Sequence, residues 1–122
     1  MERKKKIVQA VQRGQVVWVD LEGQGSEQRG QRPCIVLQNN VGNRFAPTTI
    51  IVPMTTKKPK RVLPTHLAVS EEELGEKLRD SVILCEQIRT IDKKRIKSLG
   101  KVLSETIMKQ LQEKIFVSLD FS

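Results

Sequence analysis

Short segments rich in β-branched residues recur through the first 85 positions, separated by glycine, proline or asparagine. The clearest is residues 15–21, which hold three valines and are flanked by Gly14 and Gly23. Runs of this kind, bounded by such residues, are typical of strands. We expect four more strands, at residues 34–38, 48–55, 65–69 and 81–85.

The connections between these segments also carry local signals. Residues 39–44 are a cluster of asparagines and glycine, which is typical of a turn. Pro53 has no N–H to donate to a sheet, so we expect its end of the third strand to lie at an edge or a bulge. Residues 71–74 predict a single helical turn between the fourth and fifth strands.

The hydrophobic period changes near the C-terminus. Ser104 is a suitable N-cap there, and Glu105 puts a negative charge in the first turn, where the helix dipole favours it. Five short strands and one covering helix predict a mainly β fold with a C-terminal helix, arranged as a small, strongly bent barrel. The apolar residues that recur every four positions and predict this helix are Ile107, Leu111, Ile115 and Leu119.

Size and cysteine usage limit the class of protein. A chain of 122 residues and 13.9 kDa is typical of one domain with one core. No apolar run approaches the ~20 residues of a membrane span, and the patch after the basic N-terminus is too short for a secretion signal. We therefore expect a cytoplasmic protein with no membrane partner. Cys34 and Cys85 lie in apolar runs without metal-ligand spacing, and His66 is the single histidine, so we expect core thiols, no metal and no cofactor.

Positive charge is concentrated in the first half of the chain. The net charge is +8; residues 1–62 hold 12 Lys and Arg against 4 Asp and Glu, whereas residues 63–122 hold 10 of each. Much of the excess lies in the N-terminal tail and between Lys57 and Arg61. Such a distribution attracts polyanions and favours a nucleic-acid partner. Lysines that serve only solubility are the alternative.

The loop at residues 25–33 carries the groups best suited to phosphate chemistry. It is punctuated by glycines and holds Glu27, Arg29 and Arg32 just before an apolar run. Guanidinium groups bind phosphate through a planar fork of donors. An ordinary solvated loop has the same composition, so this loop alone does not decide the function. Elsewhere the sequence has no P-loop, no second histidine for a two-histidine ribonuclease and, at 3% aromatics, little material for base stacking.

Four longer motifs occur in order between about residue 12 and the end: WVDL (18–21), GSEQRGQRP (25–33), VGNRFAPT (41–48) and RDSVILCEQIRTID (79–92). They closely resemble the MazF/PemK toxins of bacterial toxin–antitoxin systems. The resemblance implies a homodimeric SH3-like barrel of the plasmid-maintenance toxin type over residues 12–122, preceded by a basic tail at residues 1–11. It also implies a sequence-specific, ribosome-independent and metal-independent endoribonuclease for single-stranded RNA, which leaves a 2′,3′-cyclic phosphate and is neutralised by a cognate antitoxin.

The resemblance assigns roles to individual residues. The catalytic arginine and threonine of the family fall on Arg32 and Thr55, and Glu27 matches a loop position linked with substrate handling. The chain departs from its relatives mainly by extra positive charge after Thr55 and within the loop. The predicted RNA-binding residues are Ser26, Gln28, Arg29, Lys57, Lys58, Ser81, Glu86 and Gln87.

Elementary chemistry separates the roles of these candidates. Arg32 suits the stabilisation of charge on the phosphorane, but a guanidinium stays protonated at neutral pH and is a poor base. Glu27 is the loop carboxylate that we expect to assist proton transfer, with a purely solvated role as the alternative. We expect Arg79 and Arg89 to form ion pairs or dimer contacts. Two other functions stay open: a nucleic-acid-binding barrel without catalysis, and a gyrase-poisoning toxin on the same architecture.

Overall fold

The computed structural model describes residues 11–75 and 78–120. Over these residues the chain forms seven strands and three helices, with 3-10 turns at Cys85–Gln87 and Lys93–Arg95. The strands are β1 (Gln15–Leu21), β2 (Gly30–Val36), β3 (Thr48–Thr55), β4 (His66–Val69), β5 (Ser81–Leu84), β6 (Arg89–Asp92) and β7 (Ile96–Val102). The helices are α1 (Asn40–Phe45), α2 (Glu71–Leu74) and α3 (Glu105–Leu119).

The strands form an antiparallel, strongly bent sheet. Its order is β4-β5-β3-β2-β1-β7, and β6 pairs with the first half of β3. The end of β3 pairs instead with β5, from Met54 onwards. Pro53 lies where β3 changes partner, between Ile51 opposite β6 and Met54 opposite β5. The irregularity expected at this proline is thus a change of strand partner. A residue without an N–H is tolerated at such a position.

Each face of the central strands carries its own core. Alternation along β1 sends Val17 and Val19 to one side, where they pack with Cys34, Ile51 and other residues of the barrel interior. The other face packs against α3 and the β4–β5 hairpin. Both cysteines are free and buried, as predicted. Val11, at the end of the predicted tail, is also buried against the barrel core, whereas residues 1–10 lie outside the described residues.

Helix α3 begins as predicted and covers the sheet with its first half. The hydroxyl of Ser104 accepts a hydrogen bond from the N–H of Ile107 at 3.3 Å. Ile107 and Leu111 are buried, but Leu119 is 50% exposed, so the last turn extends past the core. Within the described residues, none of the helices is both long and apolar enough to cross a membrane.

The turn predicted at residues 39–44 is wrong: most of this segment is the short helix α1. The side chain of Asn39 accepts from the N–H of Gly42 at 2.8 Å, and Ala46 closes the helix by donating to the carbonyl of Gly42. Asparagine is both a turn residue and a good N-cap. Composition alone therefore does not separate the two structures.

The strand predictions were incomplete in two ways. Strand β2 begins at Gly30, four residues before the predicted start, because residues 30–33 pair with the second half of β1. Strands β6 and β7 were missed. Both are rich in polar or charged residues, and they form because β3 and β1 offer them partners.

Candidate active site

Arg32 and Thr55 lie at the same end of the sheet, on adjacent strands. In the antiparallel register of β2 and β3, Cys34 lies opposite Pro53. Arg32 precedes Cys34 by two residues and Thr55 follows Pro53 by two, so both lie towards the same end of the sheet. Alternation puts both side chains on the face that also carries Cys34. The two predicted catalytic residues therefore both lie just beyond the last paired residues of β2 and β3, although 22 residues separate them in the sequence, and Arg32 is not among the residues that line the cleft with Thr55.

The β1–β2 loop is ordered by its own side chains. The carboxylate of Glu27 accepts from the N–H of Gln24 at 3.0 Å and closes a turn. Positive φ angles at Gly25 and Gly30, of 60° and 82°, suit residues without a side chain. At the end of the loop, Nε of Arg32 donates to the carbonyl of Arg29 at 2.8 Å. The guanidinium of Arg32 is thus oriented by the loop backbone.

A second set of contacts ties the loop to the segment after β5. The amide of Gln87 accepts from the N–H of Gln28 at 2.9 Å and donates to the carbonyl of Ser26 at 3.4 Å. The guanidinium of Arg89 donates to the carbonyls of Gln28 and Glu22. Both of these acceptors are backbone carbonyls, and within residues 11–75 and 78–120 Arg89 forms no ion pair, so of its two expected roles a dimer contact stays a prediction.

A cleft of about 330 Å³ opens beside Thr55. It lies between the basic segment that follows β3 and the turn Cys85–Gln87, and Pro59, Leu63 and Leu84 also contribute to its walls. The hydroxyl of Thr55 accepts from the N–H of Lys57 at 3.2 Å, which leaves its own hydrogen available to a ligand. The predicted site residues that line this cleft are Thr55, Gln28, Lys57, Lys58, Glu86 and Gln87.

His66 is a cleft residue that sequence reasoning set aside. Its Nδ1 accepts from the N–H of Leu63 at 3.1 Å, and its Nε2 lies 3.3 Å from the carboxylate of Glu86. Thr65 donates to the other oxygen of Glu86 at 3.0 Å. His66 is the single histidine of the sequence, but its pairing with Glu86 depends on β4 lying beside β5.

Four of the remaining predicted residues lie elsewhere on the surface or in the core. Glu27, Ser26 and Arg29 are exposed on the loop and do not line the cleft. Ser81 is 3% exposed, and its hydroxyl donates to the carbonyl of Arg79 at 2.8 Å. Its burial disfavours a direct contact with RNA, which stays a prediction.

Charge in the cleft favours an anion. Three lysines, Lys57, Lys58 and Lys60, face a single carboxylate, Glu86. Burial raises the pKa of both Cys34 and Cys85 to about 12, so both thiols stay protonated at neutral pH. Glu86 adds to the rise at Cys85, and Arg89 opposes it at Cys34. Among the described residues, no group of three or more His, Cys, Asp or Glu side chains is placed to hold a metal ion.

Comparison with known proteins gives consistent matches over nearly the whole chain. Endoribonuclease EndoA of Bacillus subtilis is 46% identical over 110 residues, which is 89% of this chain and 94% of that protein. The solved structure of MazF from Deinococcus radiodurans superposes with a TM-score of 0.74 at 21% identity and covers 90% of this chain and 96% of its own. A mycobacterial endoribonuclease in complex with its cognate antitoxin superposes with a TM-score of 0.73 at 24% identity, over 93% and 98% of the two chains.

These matches confirm the predicted fold and the family resemblance. The profile of the PemK-like, MazF-like toxins of type II toxin–antitoxin systems matches residues 12–119. That range contains the whole sheet, α3 and the cleft beside Thr55. The chain therefore belongs to the PemK-like, MazF-like toxin family.

Proposed function

We propose that this protein is a toxin endoribonuclease that cleaves single-stranded RNA in the cleft beside Thr55. The observation that carries the proposal is the convergence of Thr55, Lys57, Lys58 and Glu86 on one cleft, with Arg32 at the end of the neighbouring strand. The activity class rests on family membership and on the 46% identity with EndoA, a protein named as an endoribonuclease. We place the reaction in the cytoplasm, with messenger RNA as the substrate class.

The reaction proposed is attack by the ribose 2′-oxygen on the adjacent phosphorus. The bond from phosphorus to the 5′-oxygen breaks, the 5′-oxygen takes up a proton, and a 2′,3′-cyclic phosphate remains. Arg32 stabilises the charge that develops on the phosphorane oxygens, and the Thr55 hydroxyl donates a hydrogen bond to a non-bridging oxygen. No metal is required in this scheme.

A carboxylate is the best proton acceptor for the 2′-OH. The sequence prediction was Glu27, but its carboxylate is bound to the N–H of Gln24 and lies outside the cleft. Glu86 lines the cleft and is oriented by Thr65 and His66. We therefore assign proton transfer to Glu86 and keep assistance by Glu27 as the competing assignment.

Replacing each carboxylate by its amide separates the two assignments. We expect Glu86→Gln to lower kcat by about 10²–10⁴-fold, the typical contribution of a general base. Glu27→Gln should change kcat far less. The measurement is single-turnover cleavage against pH. If the acidic limb of the pH–rate profile is lost in Glu27→Gln but not in Glu86→Gln, proton transfer belongs to Glu27.

Cleavage of a long single-stranded RNA in EDTA tests the function itself. We expect cuts at discrete sites, with products that end in a 2′,3′-cyclic phosphate. Arg32→Ala should slow cleavage by about 10²–10³-fold. Arg44→Ala removes an exposed arginine outside the cleft and serves as the matched control. RNA binding without cleavage would support the non-catalytic barrel, and full activity in Arg32→Ala would contradict the assignment of that residue.

We also propose that the toxin works as a homodimer and is neutralised by an acidic antitoxin segment. The family description supports an antitoxin, and the three lysines that line the cleft favour an acidic segment. The homodimer is what the resemblance to this family implies. An acidic segment would compete with RNA for the same positively charged cleft. Its affinity should fall steeply as salt rises, and calorimetry at two salt concentrations would measure this. An affinity independent of salt would indicate an apolar contact instead.

A further inference from the structure

We infer that Arg89 and Gln87 are positioning residues that hold the β1–β2 loop in the conformation that orients Arg32. The inference rests on the proposed function, because it concerns the arginine to which we assign charge stabilisation. Neither residue was predicted to act in this way. Arg89 was expected to form an ion pair or a dimer contact, and Gln87 was expected to bind RNA.

The two side chains form four hydrogen bonds with the loop backbone, at Glu22, Ser26 and Gln28. Arg89 spans the loop, because its guanidinium donates to the carbonyl of Glu22, just after β1, and to that of Gln28, just before β2, the latter at 2.6 Å. Gln87 donates to the carbonyl of Ser26 and accepts from the N–H of Gln28. Both backbone polar groups of Gln28 are therefore bound by side chains 59 and 61 residues away in the sequence.

The position of this backbone determines where Arg32 points. The residue after Gln28 is Arg29, whose carbonyl accepts from Nε of Arg32. That contact removes rotational freedom from the guanidinium and leaves its two terminal nitrogens to bind phosphate. If Gln28 is released, the carbonyl of Arg29 moves with it. A donor displaced by about 1 Å loses much of its effect on a transition state.

Arg95 provides a matched control for the charge of Arg89. It also lies beside the start of the loop, at 3.3 Å from the carboxylate of Glu22, but it binds neither Gln28 nor Ser26. Arg95→Ala removes the same charge from the same region and leaves the Gln28 contacts in place. Arg89→Lys keeps the charge of Arg89 but replaces its planar fork of donors with a single ammonium.

Hydrogen exchange on the free protein tests whether Arg89 holds the β1–β2 loop, without reference to catalysis. In Arg89→Ala, the amides of residues 24–28 should exchange about tenfold faster or more, while those of β1 and α3 stay as protected as in the wild type. Arg95→Ala should match the wild type. Unchanged exchange in the loop of Arg89→Ala overturns the inference, as does equal deprotection throughout the protein, which would mean that Arg89 only stabilises the fold.

Steady-state cleavage kinetics, which give kcat and KM separately, test the effect on Arg32. We expect Arg89→Ala to lower kcat by about 10–100-fold with KM within about twofold, and Arg89→Lys to recover part of the loss. Because Arg89 acts through Arg32, the double variant Arg32→Ala/Arg89→Ala should be no slower than Arg32→Ala. An additive double variant, or a raised KM with kcat unchanged, overturns the inference. A wild type that does not cleave RNA contradicts the proposed function. The exchange experiment still decides whether Arg89 holds the loop.

Discussion

Thr55 ends a strand, and its hydroxyl is held by the backbone that follows. The N–H of Lys57 donates to it, so the oxygen is fixed while its hydrogen is free to point into the cleft. A single local contact thus converts an ordinary strand threonine into an oriented donor. The same contact joins Thr55 to the start of the lysine-rich segment, so donor and positive charge are positioned together.

Replacing Thr55 tests this orientation. Thr55→Val keeps the shape but removes the hydroxyl, and we expect kcat to fall by about tenfold or more, since a hydrogen bond to a charged group contributes about 1.5–3 kcal/mol. Thr55→Ser keeps the hydroxyl and should retain most of the activity. The check is single-turnover cleavage by both variants. Equal rates for Thr55→Val and the wild type would show that the hydroxyl is not used.

The two buried thiols predict a loss of stability at alkaline pH. Burial raises the pKa of Cys34 and Cys85 from 9.0 to about 12, so the folded state keeps both protons where the unfolded state loses them. Their contribution to stability is complete below pH 9 and is lost as pH rises towards 12. Urea unfolding at pH 8, 10 and 11 should therefore show a steeper decline for the wild type than for Cys34→Ala/Cys85→Ala. Parallel declines would contradict the predicted contribution.

At the scale of elements, α3 is held to the sheet by its first half. Leu111 is fully buried against the core on the outer face of the sheet, whereas Leu119 is half exposed. Leu111→Ala should lower the free energy of unfolding by about 2–5 kcal/mol because it removes buried apolar volume and leaves a cavity. Leu119→Ala should cost less than about 1 kcal/mol. Urea denaturation measures both, and similar losses in the two variants would show that the last turn also stabilises the fold.

Elements differ in how far their own residues predict them. The boundaries of β1 and β3 and the start of α3 follow from local patterns, because the two strands are runs rich in β-branched residues and the helix has a clear period and an N-cap. Strands β6 and β7 do not. Residues such as Thr90, Lys97 and Lys101 have no apolar alternation that marks a strand, and the hydrogen bonds offered by β3 and β1 determine their conformation.

At the scale of the whole molecule, exposed lysines lie on both sides of the sheet, but three of them line one cleft. The lysines of the cleft lie beyond β3 and β5, whereas Lys97 and Lys101 are exposed on β7 at the opposite edge. A cleft lined mainly by one sign of charge concentrates a polyanion and raises the rate of encounter. We therefore expect the cleft lysines, and not the net charge, to dominate binding of RNA.

The salt dependence of RNA binding measures the contribution of the cleft lysines. Each phosphate neutralised on a single strand contributes about 0.7 to the slope of log K against log salt. The variant Lys57→Gln/Lys58→Gln/Lys60→Gln should lower the slope by about 2. The control, Lys94→Gln/Lys97→Gln/Lys101→Gln, makes the same change of charge on exposed residues outside the cleft. Fluorescence anisotropy with a short RNA gives both slopes, and equal slopes would mean that RNA does not bind in the cleft.

The sequence by itself determined the class of the fold, the C-terminal helix and the charge distribution, because these depend on residue types and short-range periodicity. The catalytic roles of Arg32 and Thr55 came from the resemblance to the toxin family, and they stay predictions. Only the tertiary structure decided which groups meet. The pairing of β2 with β3 places Arg32 and Thr55 towards the same end of the sheet, the pairing of β4 with β5 joins His66 to Glu86, and Arg89 reaches a loop carbonyl 61 residues away. Contacts between residues so far apart in the sequence depend on strand register and on the bend of the sheet, which is why local patterns did not reveal them.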